Sequence, residues 1–181
     1  MLKITVPETE FWDPRNEVFV PVKARTLQME HSLVSISKWE SKWEKAYLKK
    51  QQKTDEEALD YIRCMTVTPN VDPIVYYCLS VENLKEIDDY IAAPMTASHI
   101  HSNVNSEGTG KDVLTSDLIY YYMTAFNIPF ECQKWHLNRL LTLIRICEVK
   151  NKNPKQRNLN SVAESNTALN AARRKMYNSK G

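Results

Sequence analysis

Cys132 and His136 come nearest to a nucleophile–base pair, because four positions separate them in a segment with helical spacing. A helix would bring both to one face, and a thiol near a helix N-terminus has a lowered pKa. The imidazole could then take the thiol proton. Catalysis would also need an open cleft and oxyanion donors, and the sequence indicates neither. We therefore expect a packed thiol beside a histidine at the surface.

His99 and His101 are the residues most suited to bind a metal ion. Alternate residues of a strand share one face, so both imidazoles could bind the same ion. The nearest downstream acid, Glu107, lies in a polar loop, and no cysteine is close. We therefore expect an ordinary loop or edge segment here, without a metal.

Clustered acids offer a third possible site, at Glu56, Glu57 and Asp60 and again at Asp88 and Asp89. No partner motif accompanies either group. Acids are common at helix starts and on solvated faces, so we expect these carboxylates to be exposed to solvent.

The sequence contains no motif for a bound cofactor. It has three glycines and neither GxGxxG nor GxxxxGK[ST], the loops that approach phosphates closely. We expect no cofactor and no enzymatic activity. The four cysteines are scattered without paired spacing, which is typical of free thiols in a reducing compartment. They are Cys64, Cys78, Cys132 and Cys147.

Charge is divided unevenly along the chain. Residues 149–181 hold eight basic residues and one acid, whereas the other 148 residues hold 16 basic and 21 acidic residues. The basic end favours an electrostatic contact with a partner or with an acidic protein body. Nucleic acid is a weaker alternative, because no nucleic-acid-binding motif accompanies the basic residues. No apolar run is long enough for a signal peptide or a membrane span, so we expect a cytoplasmic protein.

Two kinds of element must position these residues. Alternating apolar residues at 2–6 and 18–22, with a turn at 13–16, predict an N-terminal β-hairpin in which Pro21 marks an edge strand. We expect residues 26–30 to extend this sheet. Helices then follow, with starts at Ser32, Thr54, Asp72, Ser80 and Thr115. We expect a mainly α protein with a small β element, an α+β fold of about six helices.

The helices differ in how much apolar surface they should bury. Val81, Leu84, Ile87 and Ile91 are predicted to face inward, with Pro94 ending their helix. Met95 to His101 is predicted as a short strand. Ile128 to Asn153 predicts one helix that is buried on most sides, with Pro129 in its first turn.

The C-terminal region predicts a detachable helix. A polar linker follows residue 150, and Ser161 to Glu164 is a capping box. We expect a body at 1–150 and a basic tail at 151–181, whose helix forms when a partner binds. The expected contacts are the apolar residues Val162, Leu169 and Met176 together with Arg173 and Arg174.

Trp39, Trp43 and Tyr47 form an aromatic stripe at helical spacing. We favour a core position for this stripe over an exposed binding surface. Trp39 and Trp43 remain a second candidate contact for a partner.

The segment from Leu114 to Pro154 resembles small proteins of long-tailed bacteriophages. Its core reads TSDLIYYYMTAFNIPFECQKWHLNRLLTLIRICEVKNKNP, and HSLVSISKWESKWE near the front shares the resemblance. The common features are a short helix, an N-I-P-F break, a helix led by Trp135 with Leu137, Leu140 and Leu141, and a basic extension. The resemblance covers about a third of the chain.

The resemblance implies a tail assembly chaperone, a bacteriophage protein that coats the tape measure protein during virion morphogenesis. The implied partner is the tape measure protein or another tail protein in the host cytoplasm, and homo-oligomers are possible. The alternatives are a structural virion protein, such as a tail-completion or connector subunit, and a nucleic-acid-binding accessory protein. Presence in purified virions would separate the first two.

Overall fold

A computed structural model describes residues 1–14, 16–98 and 113–151, together with residues 167, 170, 171 and 173. The strands are β1 (Leu2–Val6), β2 (Thr9–Asp13), β3 (Val18–Val22) and β4 (Arg25–Met29). The helices are α1 (Leu33–Trp43), α2 (Asp55–Met65), α3 (Ile74–Tyr77), α4 (Val81–Ala92), α5 (Ser116–Ala125) and α6 (Leu137–Asn151), and a 3₁₀ helix spans Phe130–Lys134. The described residues therefore show a mainly helical fold with a small N-terminal β element.

The four strands are the two arms of one long hairpin. β2 pairs antiparallel with β3, and β1 pairs antiparallel with β4. Continuing the β2–β3 pairing past Pro7 and Glu8 leads to the observed Val6–Arg25 pair, so both ladders keep one register. Pro7 has no N–H to donate where the ladder is interrupted. The predicted strands at 2–6 and 18–22 and the turn between them are confirmed, but their predicted pairing is wrong. Residues 18–22 pair with β2, which was not predicted, and residues 2–6 pair with 25–29, the predicted extension of the sheet.

The hairpin contributes one apolar face to the core. Ile4 and Leu27 are cross-strand partners, and both are fully buried. Val6 and Met29 lie on the same face and are also buried. The alternation of buried and exposed residues in β1 and β4 follows from the two-residue period of a strand.

Four helix starts lie where the sequence predicts them. The side chains of Ser32, Thr54, Ser80 and Thr115 each accept a hydrogen bond from the backbone N–H three residues later. The predicted capping box of α2 is confirmed, since the Glu57 carboxylate also accepts from the Thr54 N–H at 2.9 Å. These bonds satisfy N–H groups that have no partner within the helix.

The prediction that Glu57 and Asp60 lie on a solvated face is wrong. Both carboxylates are buried, and lysines from α1 and its following loop reach them. Lys42 pairs with Asp60 at 2.5 Å, and Lys45 pairs with Glu57. In each pair the lysine side chain remains partly exposed to solvent while its ammonium group contacts the buried carboxylate. This contact reduces the free-energy cost of burying the acid.

The aromatic stripe is divided by the end of α1. Glu44 adopts a left-handed conformation, φ 52°, and ends the helix before Tyr47. The chain then returns Tyr47 to stack on Tyr61, with ring centroids 3.9 Å apart. Trp39 is fully buried, as the core interpretation predicts, whereas Trp43 is only partly buried.

The predicted inward face of α4 and the strand predicted after it need correction. In α4, Ile87 and Tyr90 are buried, but Val81 is 78% exposed and Leu84 is 39% exposed. The first turn of α4 therefore projects beyond the core. Residues 95–98 form no strand, because Met95 takes a left-handed conformation; residues 99–101 lie outside the described residues. The helix ends before Pro94, as predicted.

The predicted helix from Ile128 to Asn153 is two elements. Pro129 precedes the 3₁₀ helix rather than entering the first turn of an α-helix, and α6 begins only at Leu137. Extended backbone at Trp135 separates them. In α6 the buried side chains are Leu137, Leu140 and Ile144, so this helix buries one face instead of most of its surface.

The chain divides into two compact units, Met1–Ile144 and Arg145–Gly181. The division at 1–150 and 151–181 expected from composition stays a prediction. Among the described residues, none of the helices has both the length and the apolar character to span a membrane.

Candidate partner-binding groove

An apolar groove of about 500 Å³ lies between α2, α3 and the start of α4. The α2 side of the groove is formed by Ala58, Leu59 and Ile62. Tyr77 of α3 and Leu84 of α4 form the opposite side. Grooves of this kind between helices are common binding sites for apolar ligands and for helical segments of partners.

The position of α3 determines the shape of the groove. The Asp72 carboxylate accepts a hydrogen bond from the Ile74 N–H at 3.0 Å and starts this short helix. Val75 and Tyr76 point into the core, which leaves Tyr77 57% exposed at the groove. Tyr77 also packs against Phe11 of the hairpin, with ring centroids 5.7 Å apart.

Acidic residues lie at one end of the α2 side of the groove, and an arginine contacts two of the tyrosines that line it. Asp55 and Glu56 line it at the first turn of α2, and both are exposed. The Arg63 guanidinium lies over the rings of Tyr76 and Tyr77, 5.5 and 5.4 Å from their centroids. The groove thus has an acidic end, an apolar middle and an arginine held by aromatic rings.

A second polar cluster joins α2 to α1, with buried carboxylates on α2 and partly exposed lysines on the other side. The indole Nε1 of Trp39 donates to the Glu57 carbonyl oxygen at 2.8 Å, and that of Trp43 donates to Asp60 Oδ2 at 2.9 Å. The hydrogen bond from Lys45 holds the pKa of the Glu57 carboxyl below its usual value. These contacts fix α1 against α2 and give both buried carboxylates hydrogen-bond partners on α1 and the loop that follows it.

A buried histidine pair lies where β4 meets α1. His31 and His136 contact each other with ring centroids 5.1 Å apart. His136 Nδ1 accepts from the Asn138 N–H at 3.3 Å, so Nε2 carries the proton that is donated to the Tyr90 carbonyl oxygen at 2.9 Å. Burial, followed by the neighbouring His136, lowers the pKa of His31 to about 4.

This geometry does not support a Cys132–His136 nucleophile pair. Cys132 belongs to the 3₁₀ helix and His136 follows it, so the two do not share one face of an α-helix. Both nitrogens of His136 have backbone partners. His136 is also buried rather than at the surface. All four cysteines are free.

The structure describes three of the residues predicted to bind a partner, Trp39, Trp43 and Arg173. Trp39 is inaccessible, which leaves only Trp43 of the aromatic pair for an external contact. Arg173 is helical and exposed. Val162, Leu169, Arg174 and Met176 lie outside the described residues, as do His99 and His101. Within the described ranges, no three His, Cys, Asp or Glu side chains form a metal site.

Sequence reasoning did not find the groove, because it predicted that Leu84 faces the core. One feature of the sequence could have indicated it. The connection between α3 and α4 is short, so three apolar side chains on either side of that turn lie close together. Tyr77, Val81 and Leu84 are the exposed residues there. An apolar patch of this kind is a common mark of an interaction site.

Comparisons of this chain with protein-family models, with curated proteins and with solved structures found no match.

Proposed function

We propose that this protein is a tail assembly chaperone of a long-tailed bacteriophage and binds a helical segment of the tape measure protein. The observation that carries the proposal is the open apolar groove between α2, α3 and α4. A chaperone of this type needs an accessible apolar surface on a stable body. The resemblance of residues 114–154 to phage tail proteins supports the same function.

The binding mode is a helix in a groove. Two turns of α2 line the groove, from Asp55 to Ile62, which corresponds to about 10 Å of helix. A partner helix of two turns can place apolar side chains between Leu59 and Leu84. The partly exposed Tyr77 supplies an aromatic contact, the residue type that contributes most to binding energy at interfaces.

Co-expression with the tape measure protein followed by pull-down tests the proposal. We expect Leu84→Asp to reduce recovery of the tape measure protein to about a tenth, because a carboxylate would be buried against the bound helix. Val113→Asp is the matched control, since Val113 is 40% exposed and does not line the groove. Equal recovery by both variants and the unmodified chain would exclude the groove as the contact.

The predicted tail contact has its own test. Leu169→Asp should reduce recovery if the C-terminal helix binds the tape measure protein, while the thermal melt of the body stays unchanged. Deletion of residues 155–181 without any loss of binding would show that the tail is not a contact. Recovery of the protein from finished virions would instead favour the structural virion protein.

A further inference from the structure

We propose that the groove between α2, α3 and α4 also binds residues 161–177 of a second copy of this protein. This inference builds on the proposed function, because it names a competing occupant of the same surface. Three observations support it: the groove is open, its α2 end is acidic, and the chain carries a basic segment with matching apolar spacing.

The spacing of apolar residues fits the length of the groove. Val162, Leu169 and Met176 recur every seven residues, so in a helix each is about 10 Å from the next. The groove follows α2 over the same number of residues, from Asp55 to Ile62. Two consecutive apolar residues of the segment therefore match its two ends.

Charge gives the segment a direction in the groove. Arg173, four residues after Leu169, would share its helical face, and Arg174 follows. Asp55 and Glu56 can pair with these arginines at the N-terminal turn of α2. Met176 would then lie near that acidic end, and Leu169 would lie about 10 Å further along the groove, near Ile62. The Arg63 guanidinium lies on the tyrosine rings rather than beside these acids.

The groove is open in the part of the chain that the structure describes. There Tyr77 is 57% exposed and Val81 is 78% exposed, so a segment of a second copy can reach the groove and its margin. Association of an acidic groove with a basic segment of another copy is a head-to-tail contact, which joins different surfaces of the two partners. A tape measure helix would have to displace this segment.

Sedimentation velocity of the full chain, over a wide concentration range, tests the inference without any other protein. We expect self-association that becomes about tenfold weaker when Asp55→Lys and Glu56→Lys are combined, because like charges then face each other. Adding Arg173→Glu and Arg174→Glu to that variant should restore association. Thermal melts check that each variant folds.

Asp88→Lys with Asp89→Lys is the matched control, since it makes the same change in net charge at exposed sites outside the groove. A monomer at every concentration would overturn the inference, as would equal weakening by the control or a charge swap that restores nothing. Loss of tape measure binding with intact self-association would contradict only the proposed function. Self-association that fails while tape measure binding persists would contradict only this inference.

Discussion

At the scale of single residues, the most informative side chain is a histidine that the sequence did not distinguish. His31 is 2% exposed and its Nδ1 lies 2.5 Å from the Tyr61 hydroxyl oxygen. The Tyr61 hydroxyl also lies 3.4 Å from Ser35 Oγ of α1, and the ring of His136 packs against the His31 ring. No carboxylate pairs with His31 among these described contacts. The folded protein therefore holds this imidazole neutral, whereas the unfolded chain exposes it to solvent.

This difference predicts a loss of stability in mild acid. The pKa of His31 is about 4 in the folded protein, against 6.5 without the fold. Between these values the unfolded chain binds a proton that the folded protein does not, so stability falls as pH falls from 6.5 to about 4. Each pKa unit is worth about 1.4 kcal/mol, which gives a loss of about 3 kcal/mol.

Urea unfolding at several pH values measures the effect. We expect His31→Gln to reduce the acid-induced loss of unfolding free energy by the amount given above, because glutamine does not bind a proton in this pH range. The carboxylates titrate in both proteins, so their contribution cancels when the pH dependence of the unfolding free energy is compared between the two. An equally steep loss in the variant would show that His31 is not responsible.

At the scale of elements, helix starts were predictable and buried faces were less so. Ser32, Thr54 and Ser80 carry a local signal, since each capping hydrogen bond joins residues three positions apart. The exposure of Leu84 depends instead on how α3 positions the start of α4. The spacing of apolar residues along α4 carries no information about that position. The break before Leu137 was missed for a related reason, because a 3₁₀ turn followed by a helix repeats apolar residues much as one helix does.

The start of α2 offers a test of this local encoding. Thr54→Ala should destabilise the protein by about 1 kcal/mol, since the Glu57 N–H loses its acceptor. Thr54→Ser keeps a hydroxyl at the same place and should cost only a few tenths of that. Chemical denaturation compares the two variants. Equal loss in both would mean that the methyl group, and not the hydrogen bond, supplies the stability.

At the scale of the whole molecule, the sequence predicts a stable body and a basic C-terminal region, and the two compact units of the chain are separated at Ile144 and Arg145. The break in composition falls a few residues later, because α6 continues to Asn151. A helix can extend past the last residue it buries, so composition alone does not locate the boundary. The groove depends on three elements at once and for that reason had no signature in any one of them.

Limited digestion with trypsin tests the predicted boundary. We expect the first cleavage between Lys150 and Arg157, where basic residues surround Pro154 in a polar segment, and a resistant fragment that ends near residue 150. Mass spectrometry of early time points identifies the sites. Early cleavage within residues 33–144 while the bonds after 150 survive would contradict the boundary.

The contact between His31 and α6 also constrains the order of folding. The Leu137 N–H donates to the His31 carbonyl oxygen at 2.7 Å, and a β-bridge joins Ser32 to His136. These residues lie far apart in the chain, so the contact is absent until the ribosome has released residue 137. Helix α1, which carries the fully buried Leu33 and Ile36, also packs against α5 and the 3₁₀ helix, and both are synthesised long after it. The nascent chain therefore completes its core only after most of the body has been synthesised, and long-range closure of this kind slows folding.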